Sequence, residues 1–277
     1  MVLYELRDTG PLAAPVLIVA FDGWVNAGDA GTRAAEVIAS GGETVATFSS
    51  DALFDYRANR PQVTFMEGVM EDIAWPEMSL RRAEHGGRDL LVLTGTEPNW
   101  NWQRLGQEVS ELALRLGVVE HISLGGIPWA APHTRPVSTI VTASDRSRVD
   151  PDDDHPEGRL VVPGAAVTAV AHAVAATGIP TVGFWARVPH YLGSVHHAAA
   201  LALVDRLAIH LGVPLPVATL TEEAAEQTQQ LDAIADGRPE VKNLIEQLEG
   251  LSDQQETSGE ELAAEIERYL RDQDETR

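Results

Sequence analysis

Glu97, His133, Arg135 and His190 are the side chains of this 277-residue sequence whose types could do chemistry together. A carboxylate and two imidazoles supply general acid and base groups, and a guanidinium binds an anion or steadies developing negative charge. Around a small polar substrate that set would suit a hydrolase or a phosphorylase-like glycosyl transferase. The same residues have a structural reading, in which Arg135 pairs with Glu97 or Asp22 and the histidines bond backbone carbonyls. No nucleophile stands out, because no Gly-x-Ser-x-Gly elbow occurs and Ser123, Ser138 and Ser194 carry no local signature.

A metal site is not expected. His190, His196 and His197 with Asp22 or Asp29 are the candidates, but neighbouring His196 and His197 point about 100° apart on a helix, and no His-Glu-x-x-His motif is present. Gly23-x4-Gly28 has the glycine spacing of a phosphate-binding loop, yet Asp29 stands where the lysine belongs and would repel phosphate. A tight turn, with Asn26 or Asp29 capping the next helix, explains the spacing better. No cofactor is expected.

These residues are set by a repeating pattern. The runs Val16 to Phe21, Asp89 to Thr94, His121 to Leu124 and Ile179 to Trp185 are apolar and β-rich, as strands buried on both faces are. Thr44 to Phe48 and Val137 to Thr142 add further strands, while Asp51 to Gly87 reads as irregular apart from a short strand at Val63 to Met66. Helical periodicity follows from Ala30 to Ile38, from Leu105 to Leu116, from Ala165 to Thr177 and from Val195 to Leu211. Strands alternating with helices of this length predict a largely parallel sheet with helices on both faces.

In such a sheet the segments after the strands gather along the carboxyl edge, where ligands bind. Four segments qualify. The first holds Asp22, Gly23, Trp24, Asn26, Gly28 and Asp29; the second holds Thr96, Glu97, Asn99 and Trp100. The third runs from Gly125 through Trp129 to Arg135, and the fourth carries Arg187, His190 and Tyr191 just after Trp185. Five of the six tryptophans lie in or beside them in a chain only 5% aromatic, which predicts a pocket lining, an association surface or core packing under the loops.

Composition limits the partners. The net charge of −22 disfavours nucleic acid and anionic membranes, so a neutral or basic partner is expected. Residues 221–277 hold 17 acidic against 5 basic residues, a balance of −12, and read as an acidic helical extension to an α/β domain of residues 1–220. Its stripes are Leu231 and Ile234, then Val241, Leu244, Ile245, Leu248 and Leu251, then Leu262, Ile266, Tyr269 and Leu270. Lys242 is the single lysine and cysteine is absent, which removes Schiff-base, P-loop-lysine and thiolate chemistry from the main domain. With no secretory pattern at Met1 and no apolar run long enough to span a bilayer, a cytoplasmic location is expected.

Four motifs in order resemble the proteasome assembly chaperone family, in its actinobacterial branch: Gly23-Trp-Val-Asn-Ala-Gly-Asp-Ala-Gly31, Leu93-Thr-Gly-Thr-Glu-Pro-Asn-Trp100, Pro132-His-Thr-Arg-Pro136 and Trp185-Ala-Arg-Val-Pro-His-Tyr191. The resemblance covers most of residues 1 to 215. It implies a three-layer α/β/α sandwich similar to phosphorylase and peptidyl-tRNA hydrolase folds, and self-association as a dimer or trimer. It also implies an assembly role, since eukaryotic relatives hold proteasome α-subunits during assembly, with proteasome subunits as the partner. Some descriptions of the family place it near ATP-dependent carboxylate-amine ligases, which the missing lysines argue against. Relatives that dock on proteasomes can end in a hydrophobic-Tyr-any triplet; this chain ends Asp274-Glu-Thr-Arg277, so docking through that device is not expected.

Overall fold

The computed structural model describes residues 2–253. In chain order the strands are β1 (Tyr4–Leu6), β2 (Val16–Phe21), β3 (Glu43–Phe48), β4 (Gln62–Met66), β5 (Val69–Ala74), β6 (Met78–His85), β7 (Arg88–Gly95), β8 (Glu120–Trp129), β9 (Thr139–Ala143) and β10 (Thr181–Pro189). The helices are α1 (Ala30–Ile38), α2 (Ser50–Leu53), α3 (Trp102–Arg115), α4 (Ala166–Ala175), α5 (His197–Leu211) and α6 (Ala218–Asp236), followed by α7 over residues 239–253.

Eight strands form one sheet in the order β1-β3-β6-β7-β2-β8-β10-β9, and β4 and β5 form a separate two-stranded sheet. The four central strands β7, β2, β8 and β10 are parallel, as the helical crossovers between them require. Both margins are antiparallel. On one side β6 meets β7 through the two-residue turn Gly86-Gly87, whose positive φ values of 59° and 77° suit a tight hairpin.

Side chains of β2 alternate between two cores. Leu17, Val19 and Phe21 face the layer that holds α3 and α4, while Val16, Ile18 and Ala20 face the layer that holds α1 and α5. The result is a three-layer α/β/α sandwich. Helices α6 and α7 fold back on it: Leu220 and Ala224 of α6 are buried, the first in the α1/α5 core, and Ile245 and Leu248 of α7 are 5% exposed, as the apolar stripe requires. The stripe from Leu262 to Leu270 lies outside the described residues. No helix among the described residues is long and apolar enough to cross a membrane.

Two expectations are corrected. The stretch read as irregular between Asp51 and Gly87 contains α2, β5 and β6 as well as β4. In β6 the pair Arg81-Arg82 breaks the alternation set by buried Met78 and Leu80, and β5 is wholly exposed, so neither shows the period of a buried face. Strands β8 and β10 also run further than their apolar cores, to Trp129 and Pro189. Gly125 and Gly183 make room on this part of the sheet for the Trp185 indole, since a Cβ at either would come within 2.9 Å of the ring.

Candidate functional site

The first segment is folded by its own polar groups. The Asn26 side-chain oxygen accepts from the Gly31 and Thr32 N–H groups at 3.0 and 3.1 Å, and its amide donates to Thr32 Oγ1 at 2.8 Å. Asn26 therefore caps α1, whose first N–H groups lack helical acceptors. Asp29 holds the left-handed φ of 48° at the turn. Gly28 presents its carbonyl to the His196 N–H at 2.7 Å, locking this loop to the start of α5.

Glu97 joins three elements. Its Oε1 accepts from the Ala166 N–H at 2.8 Å, its Oε2 from the Trp24 N–H at 3.4 Å, and its own N–H donates to Asp22 Oδ1 at 2.7 Å. A carboxylate at the N-terminus of α4 also complements the helix dipole. Gly23 has a φ of 114°, and a Cβ there would lie 2.6 Å from Glu97 Oε2, so only glycine fits over this carboxylate. Further along, Thr96 N–H donates to the Glu77 carbonyl, and the Asn99 side-chain oxygen accepts from Asp55 N–H and Asn59 Nδ2 at 2.9 and 2.8 Å. The Asn99 and Trp100 N–H groups both reach the Leu53 carbonyl. Trp24 and Trp100 stand exposed, at 66% and 54%.

The third and fourth segments form a second network. Tyr191 Oη accepts from the His133 N–H and lies 2.7 Å from His133 Nδ1. With the hydroxyl donating to Nδ1, the ring proton sits on Nε2, which faces Asp232 Oδ1 at 3.3 Å. Burial raises the Tyr191 pKa, against the bond from the His133 N–H and with the help of the Glu249 charge. Arg135 meets Asp253 through two 3.0 Å bonds and Glu249 at 3.5 Å, and Thr134 donates to Glu249 as well. These partners belong to α6 and α7. Nearby, the Arg187 guanidinium lies 4.4 Å from the centre of the Trp129 ring and pairs with Asp154, and His190 bonds the Trp129 carbonyl.

His133 and Tyr191 thus come together, as do Trp129, Arg187 and His190, while Glu97 stays with Asp22, Gly23 and Trp24. Trp185 stands apart, its Nε1 donating to Thr142 Oγ1 at 2.9 Å on the α4 face. The acid partners Asp232, Glu249, Asp253 and Asp154 were not singled out from the sequence; their signal was only the acidity of their segments. A cleft of about 520 Å³ opens beside this edge, lined by Asp22, Asp29, Glu36, Glu77, Thr96 and Arg33 among others. Arg33, the one lining cation among the described residues, is bonded to Glu223 at 2.8 Å and Glu36 at 3.2 Å, so the described lining repels anions. Among the described residues no three His, Asp or Glu side chains are grouped to hold a metal ion.

Fold and edge together define an α/β/α protein whose polar loops are tied to its own backbone and to its acidic helices. The chain belongs to the PAC2 family, whose model matches residues 20–235. It is similar to Rv2714, a Mycobacterium tuberculosis protein of unknown function, at 34% identity over 94% of this chain and 92% of that one, with a TM-score of 0.87. A PAC2 family protein from Streptomyces avermitilis is 33% identical over 83% and 99% of the two chains, with a TM-score of 0.74. The M. tuberculosis proteasome-assembly chaperone homologue Rv2125 is 28% identical over 83% and 99%, with a TM-score of 0.76. No curated protein matches the sequence.

Proposed function

We propose that this chain is a self-associating, cytoplasmic protein-binding factor with an assembly-chaperone role, acting on proteasome subunits and carrying out no catalysis. The likeness to the proteasome-assembly chaperone homologue Rv2125 carries the reading. The bonding at the carboxyl edge supports it. Glu97 is bonded to backbone N–H groups, Arg135 to the carboxylates of α7, and His190 to the Trp129 carbonyl, so each already serves the fold. A catalytic acid-base pair needs contacts near 3 Å to one substrate.

Gentle co-purification of the tagged full chain from its own cells, followed by mixing with the purified proteasome α-type subunit, tests this. A stoichiometric complex with that subunit is expected. Recovery of self-oligomers alone, in several growth conditions and in the purified mixture, would overturn the partner assignment.

A further inference from the structure

We propose that the β4–β5 hairpin of one copy docks in the groove between α4 and the β9–β10 margin of a second copy, so that the chain assembles head to tail. This rests on the self-association in the reading above and names the surfaces that make it.

The hairpin is a ribbon without a core. Every residue of β4 and β5 is exposed, and the cross-strand pairs Val63–Ile73, Phe65–Met70 and Met66–Val69 are apolar. Phe65, Val69 and Met70 are 61%, 65% and 62% exposed. Trp75 follows at the base, half exposed against the Tyr56 ring. Spread over the two faces of the ribbon, the seven large apolar side chains present about 700 Å² in all at on the order of 100 Å² each, close to the ~800 Å² one partner buries in a standard interface.

The receiving surface lies at the other end of the sheet. The α3/α4 layer stops short of β9, leaving a groove of about 460 Å³ floored by Trp185 and walled by Thr142, Ala171 and Ala175. The Ser123 hydroxyl at its base is buried and has no partner among the described residues. The hairpin immediately precedes β6, beyond the parallel centre on one flank, whereas the groove adjoins the edge strand β9 on the opposite flank. A contact between two different surfaces of one chain is heterologous, and it closes into a ring or runs on as a filament.

Charge selects the occupant. The hairpin carries Glu67, Glu71 and Asp72 and no basic residue, so two hairpins packed on each other would oppose six carboxylates. Among the described residues the groove is lined by no Asp, Glu, Lys or Arg, in a chain with 42 acidic residues. Arg146, two residues beyond Ser144 of the groove wall, is exposed with no carboxylate partner among the described residues. An acidic copy meets no carboxylate in the described lining, and beside it the exposed Asp145 and Arg146 offset each other.

The chain has no cysteine, which makes disulfide trapping selective. Val69→Cys places a thiol at the hairpin tip and Ala176→Cys places one at the groove rim. Mixed under mild oxidation, the two single variants are expected to give at least five times more disulfide-linked dimer than either alone. Sedimentation of the double variant F65S/M70S, with its circular dichroism unchanged, is expected to show monomer at concentrations where the native chain is assembled. Trapping of the Val69→Cys variant with itself in preference to the mixture would overturn the proposal. So would native assembly that survives F65S/M70S, a result that leaves self-association standing. A native chain that stays monomeric at the highest concentration would overturn both.

Discussion

Glu97 and Arg135 sit in motifs of the same family signature and at the same end of the sheet, yet they are held in different ways. Glu97 is fixed by backbone N–H groups from two other elements of the α/β domain, one of them the first turn of α4. Arg135 is fixed by the carboxylates of Glu249 and Asp253, more than a hundred residues further along and on α7. The first arrangement builds the edge itself. The second fastens a separate acidic segment across it, through partly exposed ion pairs that contribute little stability. One region is a fixed part of the scaffold, and the other is a clasp that salt and acid can loosen.

Acid gives the largest separation between the two. His196, buried where the clasp side meets α5, is pushed down to about 4 by burial and then by the charges of His133 and His197. His121, buried in β8, is pushed down to about 4 by burial as well. Both are neutral in the folded chain and gain a proton near 6.5 when unfolded. Stability is therefore full above about pH 6.5, falls as the pH drops toward 4, and levels off below that. By pH 5 each histidine costs roughly 2 kcal/mol. Urea midpoints at pH 7.5 and 5 measure the slope, and His196→Gln should flatten it; an unchanged slope would mean the ring is not held neutral. The Asp253 carboxyl, held below the usual carboxylate range by its bond with Arg135, keeps its charge into stronger acid than a free carboxyl does, and its protonation there loosens the clasp.

The scaffold side breaks by substitution. Glu97→Ala leaves the Ala166 and Trp24 N–H groups without their acceptor and should cost about 1–3 kcal/mol in chemical unfolding. Glu97→Gln, which keeps an acceptor oxygen, should cost less; equal losses would assign the effect to charge alone. Asn26→Ala removes the cap of α1 and should cost about 1 kcal/mol. Hydrogen exchange should then rise in residues 30–33 and stay constant in α7.

Arg135→Ala is the smallest perturbation of stability and the sharpest test of the clasp. The melting temperature should move less than in Glu97→Ala, while hydrogen exchange over residues 239–253 speeds up and that of α1 does not change. Uniform exchange in both segments would show that Arg135 does not hold the extension.

Much of the frame was legible because its signals are local. A strand buried on both faces must be apolar throughout, so Val16 to Phe21 and Asp89 to Thr94 could be read directly, and the helices after them show their buried stripe at a spacing of 3.6. The hairpin was half read for the opposite reason: a ribbon with no buried face places no demand on the alternation of its residues, and β5 holds Glu71 and Asp72 beside Val69 and Met70. The capping by Asn26 was also legible, since the N–H donors its side-chain oxygen accepts from lie five and six residues away.

Sequence by itself determined the apolar central strands, the helices that follow them and the family signature of the polar segments nearby. Only the tertiary structure decided what those polar groups touch. Glu97 meets the first turn of a helix 69 residues away, and Arg135 meets a carboxylate 118 residues away rather than Glu97 or Asp22. Periodicity is written residue by residue along the chain because each buried face is local. The partner of a charge depends on the path of the whole backbone, and any of 42 carboxylates satisfies an arginine equally well until the fold brings one within reach.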